Sequence, residues 1–204
     1  MSSSIAETVI DLYQTHAAAW VRSRRHDLFE RAWLDAFLDL LPASEPQILD
    51  LGCGSGRPVA EYLIGKGGRI TGVDGAEAMI AQAEAAFPDQ TWLVADMRNL
   101  PPLPAFDGLI AWHSFFHLSP EAQGTMFETM GRLTRPGAGL LFTSGPARGE
   151  SLGEFEGQPL YHASLDSDEY SALLTRNGFQ KVRHVTSDPA CGGATIWLAR
   201  KELS

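Results

Sequence analysis

The sequence predicts an α/β fold: a mostly parallel sheet with helices on both faces. Three observations carry this. Apolar strand-like segments alternate with amphipathic helix-like ones from Gln47 onward. The first strand runs into "ILDLGCGSG", a loop with glycines at alternate positions, Gly52, Gly54 and Gly56. Acids then recur at successive strand ends, as Asp50, Asp74 and Asp96.

The elements follow in order. Ile5, Val9, Leu12, Tyr13 and His16 recur at helical spacing, as do Phe29, Trp33, Ala36, Phe37 and Leu40 before Pro42 stops the pattern. Residues 1–42 therefore read as a helical cap packed on the domain formed by 43–204. That domain begins with "QILDLG" as a strand, Pro58 to Lys66 as a helix, "RITGVD" as a strand, Ala76 to Ala86 as a helix and "TWLVAD" as a strand. It continues with "DGLIAW" as a strand that Asp107 begins, Pro120 to Leu133 as a helix, and "GLLFTS" as a strand. Parallel neighbours of this kind need right-handed crossovers. The long stretch "SGPARGESLGEFEGQPLYHASLD" reads as a Gly-rich polar loop, a type that tends to be functional. Ser167 to Arg176 is then a helix, and "FQKVRHVTS" and "GATIWLAR" form an antiparallel pair at the sheet edge, joined by "DPACGG".

With 204 residues the chain can bury one such core. A net charge of −9 opposes a nucleic-acid backbone, and the cluster Arg22, Arg24 and Arg25 is too small to reverse that. The start "MSSSIAETVIDLY" lacks the basic and apolar regions of a secretory signal, and no run nears the roughly 18 apolar residues of a membrane span. A soluble cytoplasmic protein is expected, with no nucleic-acid or membrane partner, as a monomer or homodimer. Cys53 and Cys191 lack a partner motif; they read as thiols, with no metal site.

In a doubly wound sheet a nucleoside ligand binds outside the carboxyl ends of the strands, where the glycine loop lies. A dinucleotide fingerprint wants glycine at its sixth position, but Arg57 stands there. Asp74 is placed to accept from both ribose hydroxyls, and Asp96 could take an adenine amine while Met97 packs on the ring. Three acids suit a ligand carrying a positive amine and would repel a pyrophosphate.

"LDLGCGSG", Asp74 in "GVDGAEAMI", Asp96 in "ADM", "FDGLIAWHSFFHL" and "LTRPGAGLLFTS" together resemble the class I S-adenosylmethionine-dependent methyltransferases. The resemblance runs from about Gln47 to the C-terminus. It implies a Rossmann-like three-layer sandwich, with a seven-stranded sheet of order 3-2-1-4-5-7-6 and strand 7 antiparallel. By it, Asp50, Gly52, Gly54 and Gly56 line the methionine and ribose part of S-adenosylmethionine. Asp74, with Gly75 and Met79 beside it, takes the ribose, and Asp96 with Met97 takes the adenine. Trp112 and His113 would face cofactor or acceptor, and Tyr13 and Trp20 would cap the cofactor. "RPGAGLL" departs from a frequent Pro-Gly-Gly, a change of turn at Ala138.

His113 and His117 are the candidate catalytic groups, as bases titrating near neutral pH. Against this, His117 could instead satisfy backbone groups at a helix start with Phe115 and Phe116 as core, and His113 is open between base and structural residue. Arg24, Phe116, Arg148, Tyr161 and His162 are the candidates for acceptor contact, and the arginines hint at a carboxylate there. The expected function is methyl transfer from S-adenosylmethionine to a small molecule, leaving S-adenosylhomocysteine. The alternatives are a non-catalytic S-adenosylmethionine-binding regulator and an NAD-dependent oxidoreductase.

Overall fold

The structure is a computed structural model and describes residues 6–23 and 27–203. Two helices lead in: α1 (Val9–Ser23), which bends at His16 where the backbone leaves the helical region, and α2 (Arg31–Leu38). Then follow β1 (Gln47–Leu51), α3 (Val59–Gly65), β2 (Arg69–Asp74), α4 (Glu77–Ala86), β3 (Thr91–Val94) and β4 (Phe106–Ala111). After these come α5 (Pro120–Arg132), β5 (Thr134–Ser144), β6 (Gly149–Phe155), β7 (Gln158–Ser164), α6 (Ser167–Arg176), β8 (Phe179–Asp188) and β9 (Ala194–Lys201).

The large sheet runs β3-β2-β1-β4-β5-β9-β8. Counting only its own strands this is the expected 3-2-1-4-5-7-6, and β9 is antiparallel to both neighbours. The β4 strand is buried at all six positions because both of its faces are covered. Side-chain alternation divides the core. Ile48, Ile110, Leu141 and Leu198 face Trp33 and Phe37 on one side, and Leu49, Leu109, Leu140 and Ala199 face Phe115, Phe127 and Tyr170 on the other. The α2 helix sits very close to the sheet, since a Cβ at Gly108 would stand 2.6 Å from the Phe37 ring.

Helix starts follow from local chemistry. Ser119 Oγ accepts from the Ala122 amide with Pro120 at the first helical position of α5, and Asp166 with Glu169 forms a capping box on α6. Asp107 accepts from the Gln47 amide (2.9 Å) and from Arg135 (2.7 Å), tying β1, β4 and β5 together at their start.

One expectation fails. The long polar stretch after β5 is not a loop; most of it is the antiparallel hairpin β6–β7. Its outer strand is exposed nearly throughout, so it shows no alternating apolar pattern to read, whereas β7 buries Leu160, Tyr161 and Ala163.

Candidate functional site

At the carboxyl ends of β1, β2 and β4 a cleft opens to solvent, lined by the glycine loop, the ends of these strands, α1 and the segment after β4. Its floor is the glycine loop. Gly52 (φ +72) needs glycine twice over: the backbone is left-handed, and a Cβ there would stand 2.2 Å from Ser114 Cβ. Ser114 in turn donates from Oγ to the Leu51 carbonyl (2.6 Å), pinning the segment after β4 to the loop. A Cβ at Gly54 would meet nothing within 4 Å, so its absence leaves backbone bare to the cleft. Gly56 lies under the loop, against Phe87 and Trp92, and does not line the cleft.

The acids differ in their partners. Asp74 Oδ2 accepts from the Gly54 amide and Oδ1 from the Ala76 amide, both at 2.9 Å. It thereby latches the glycine loop to the start of α4 and retains lone pairs for further donors. Burial raises its carboxyl above the ordinary value, against these two hydrogen bonds. Asp50 is buried, and desolvation, with the nearby Asp74 charge, pushes its carboxyl up to about 7. Asp96 is gripped by Arg98, whose Nε lies 3.0 and 2.9 Å from its two oxygens and whose amide donates at 2.8 Å. Burial lifts the Asp96 carboxyl, but the Arg98 hydrogen bonds and charge outweigh it and hold the group below its ordinary value. Nothing in "DMR" beyond its spacing points to that Arg98 pair.

Across the cleft stands α1. Ile10 packs where a Gly75 side chain would be, 2.6 Å from an added Cβ, so Gly75 serves the close approach of α1. Met79 is fully buried beneath that contact with Ala17 and Ala76 and lines no part of the cleft. Tyr13 and Trp20 do line it, edge to face at 5.3 Å. Arg24 and Arg25 lie outside the described residues.

The segment after β4 supplies the remaining wall. Trp112 is buried beside the cleft, and its indole N–H has no hydrogen-bond partner among the described residues. His113 takes φ +53, unusual for a residue with a Cβ, and its amide donates to Thr143 Oγ1 (2.9 Å). His117 Nδ1 lies 2.7 Å from the Tyr161 carbonyl and Nε2 3.1 Å from Tyr13 Oη. A carbonyl only accepts, so Nδ1 carries the proton and Nε2 accepts from the Tyr13 hydroxyl. Burial pushes the His117 imidazole down to about 3, so it is neutral at physiological pH.

Of the expected acceptor contacts, Phe116 is half-buried against His113, His117 and His162. Tyr161 acts through its backbone carbonyl; its ring is buried against α1 with Val9 and Leu12. His162 stands behind His117 at 4.9 Å and does not line the cleft. Arg148 is outside the site: it pairs with Glu169 on the surface by a separate depression near α5 and α6. That pairing, invisible in sequence, holds the arginine away from the cleft. Sequence reasoning missed Ser114, Ile10, Arg98 and Phe155, the last because it sits on the unread hairpin, 5.7 Å from Trp20 and 6.0 Å from Tyr13.

The sheet order and the glycine-floored cleft at its switch point define the class: this is the class I methyltransferase fold. Residues 48–137 match a family model described as "Methyltransferase domain". Trans-aconitate 2-methyltransferase of Escherichia coli O1:K1 / APEC is 45% identical over 65 residues, covering 31% of this chain and 26% of that protein, so the match spans about a quarter of the relative's length. Among solved structures, magnesium protoporphyrin IX methyltransferase from Synechocystis PCC 6803 with bound SAM has a TM-score of 0.72 at 17% identity, over 97% of each chain. The 1,6-didemethyltoxoflavin-N1-methyltransferase of Burkholderia thailandensis, with bound 1,6-didemethyltoxoflavin and S-adenosylhomocysteine, has a TM-score of 0.71 at 21% identity, over 97% of this chain and 87% of that one.

Proposed function

We propose that the protein is an S-adenosylmethionine-dependent methyltransferase of small molecules. The observation that carries this is the group set of the cleft: a glycine-bared backbone beside Asp50 and Asp74, both lining the cleft at the strand ends. This set suits an aminoacyl nucleoside with a cationic amine better than a pyrophosphate, which would meet the Asp50 and Asp74 carboxylates. When bound, the cofactor supplies an activated methyl group for in-line transfer to the acceptor's nucleophile. The protein's part is to orient and to exclude water. Asp74 would hold the ribose hydroxyls while keeping the loop latched, and Asp50 would meet the cationic end. Gly52, Gly54 and Gly75 let backbone and α1 close on the ligand, and Met97 with Asp96 would flank the adenine.

His113, on the cleft wall in a left-handed backbone held by Thr143, is the better of the two candidate bases. His117 has both ring nitrogens engaged, which favours a positioning role over proton transfer. The net charge of −9 favours a small acceptor over nucleic acid. No helix among the described residues is long and apolar enough to cross a membrane. We read residues 1–42 as a cap on the 43–204 domain, in a cytoplasmic protein.

The test is to incubate the protein with S-adenosylmethionine and pooled small-molecule extracts and to follow S-adenosylhomocysteine by mass spectrometry. Turnover with some pools and none with Asp74→Ala supports the reading. S-adenosylhomocysteine binding without turnover in any pool would favour the regulator instead.

A further inference from the structure

The three acids of the cleft step across the sheet. Asp50 stands near the end of β1 opposite Gly72, and Asp74 ends β2 opposite Val94, so Asp96 lies one strand farther on, just past the end of β3. Neighbouring strands stand about 4.8 Å apart, and a ligand whose ribose meets Asp74 therefore carries its base over the end of β3. There the cleft is lined by Ala95, Asp96, Met97 and Arg98.

Asp96 is not a bare carboxylate. Its Oδ1 accepts from the Arg98 amide (2.8 Å) and from Arg98 Nε (3.0 Å), and its Oδ2 accepts from the same Nε (2.9 Å) and from Arg98 Nη2 (2.5 Å). The Nε hydrogen is shared between the two oxygens, so among the described residues three hydrogens enter the roughly four lone-pair sites of the carboxylate. About one site is left for anything else. The two-pronged grip of the guanidinium also fixes the carboxylate plane. The Glu7 carboxylate, on the lead into α1, attracts the same guanidinium. Because the Arg98 contacts hold Asp96 below its ordinary value, the group stays ionised and can only accept.

A turn cap needs less than this. The bond from the Arg98 amide already caps the single turn Met97–Asn99. The guanidinium contacts come on top of that cap, and they act on a carboxylate that lines the cleft.

On the methyl-transfer reading, we propose that Arg98 is the positioning residue for base recognition: by gripping Asp96 it leaves one oriented acceptor at the end of β3, which selects a purine presenting an amino group there over the same purine presenting a carbonyl oxygen. An amine donates into the remaining lone pair. A carbonyl oxygen in its place meets a carboxylate with no hydrogen to give. Lysine does not replace Arg98, since an ammonium supplies the charge without the two parallel bonds.

The test compares S-adenosylhomocysteine with its deaminated counterpart, S-inosylhomocysteine, by calorimetry on the full chain. The wild type should favour S-adenosylhomocysteine by about 30-fold, as one hydrogen bond to a charged group gives. In Arg98→Leu and in Arg98→Lys that preference should fall about tenfold, and in Asp96→Asn, whose amide both donates and accepts, it should vanish. The ratio is the readout because a loosened turn or lost packing weakens both ligands alike. Equal binding of the two ligands by the wild type overturns the proposal, as does an Arg98→Leu, Arg98→Lys or Asp96→Asn variant that keeps the wild-type ratio. Failure of the wild type to bind S-adenosylhomocysteine at all is separately visible; it takes down the methyl-transfer reading and this proposal with it.

Discussion

Asp50→Asn should stabilise the empty protein by an amount that depends on pH. A carboxyl that ionises at about 7 in the folded chain and at an ordinary 3.8 in the unfolded one binds more protons when folded, so its contribution to stability falls as pH rises from about 4 to about 7. Above both values the buried charge costs about 4 kcal/mol, which asparagine does not incur. The variant should therefore exceed the wild type by about 4 kcal/mol at pH 8 and by only about 1 kcal/mol at pH 4.5. His117 works in the opposite sense. Its imidazole, at about 3 when folded against an ordinary 6.5, makes the unfolded chain the greater proton binder, so stability is lost as pH falls from 6.5 toward 3. In the wild type these two contributions largely offset each other between pH 6.5 and 4; in Asp50→Asn the His117 contribution is no longer offset by Asp50. Urea denaturation at several pH values measures both curves. A gap between variant and wild type that does not change with pH would refute the reasoning. The same ionisation governs binding: a cationic ligand that requires Asp50 charged should bind the wild type about tenfold more weakly at pH 6 than at pH 8, and release a proton there.

Other substitutions probe the remaining parts of the site. Gly52→Ala should destabilise by about 3 kcal/mol or more, from the left-handed backbone and the Ser114 clash, seen as a lowered Tm. Asp74→Ala removes two charge-assisted bonds to the Gly54 and Ala76 amides and should cost about 3 kcal/mol as well as S-adenosylhomocysteine affinity, read by thermal shift and calorimetry. His113→Gly should relieve about 1 kcal/mol of backbone strain while removing the candidate base, so Tm rises as turnover falls. Arg148→Ala should leave ligand affinity and turnover unchanged, because its partner is Glu169 on the surface. Nitrogen-15 spectra of the imidazoles should show His117 as the Nδ1–H tautomer, untitrated from pH 8 to 5; an inflection near 6.5 would contradict the hydrogen-bond chain.

What the sequence disclosed and what it hid divide along physical lines. Strands such as β4 are apolar at nearly every position because both faces are covered, and alternation with helices made the sheet legible. The glycine loop was legible because close backbone approach admits one residue type, as the Gly52 contact demonstrates. The hairpin was not, because its outer strand faces solvent on both sides and carries Gly, Glu and Ser where an ordinary strand shows alternation. Pairings across sequence were equally hidden. Arg148 with Glu169, Tyr13 with His117 and the Tyr161 carbonyl with His117 join positions 21, 104 and 44 residues apart, and only the fold brings them together. Residue type nominated the arginine and the histidines alike; geometry separated the surface ion pair from the wall of the cleft.

The cleft should take an aminoacyl nucleoside and not a dinucleotide. Calorimetric titration of the full chain with S-adenosylhomocysteine and, separately, with NAD tests that most directly. One S-adenosylhomocysteine bound per chain, with binding strongly weakened in Asp74→Ala and no heat from NAD, is the predicted result; saturable binding of NAD with none of S-adenosylhomocysteine would contradict it.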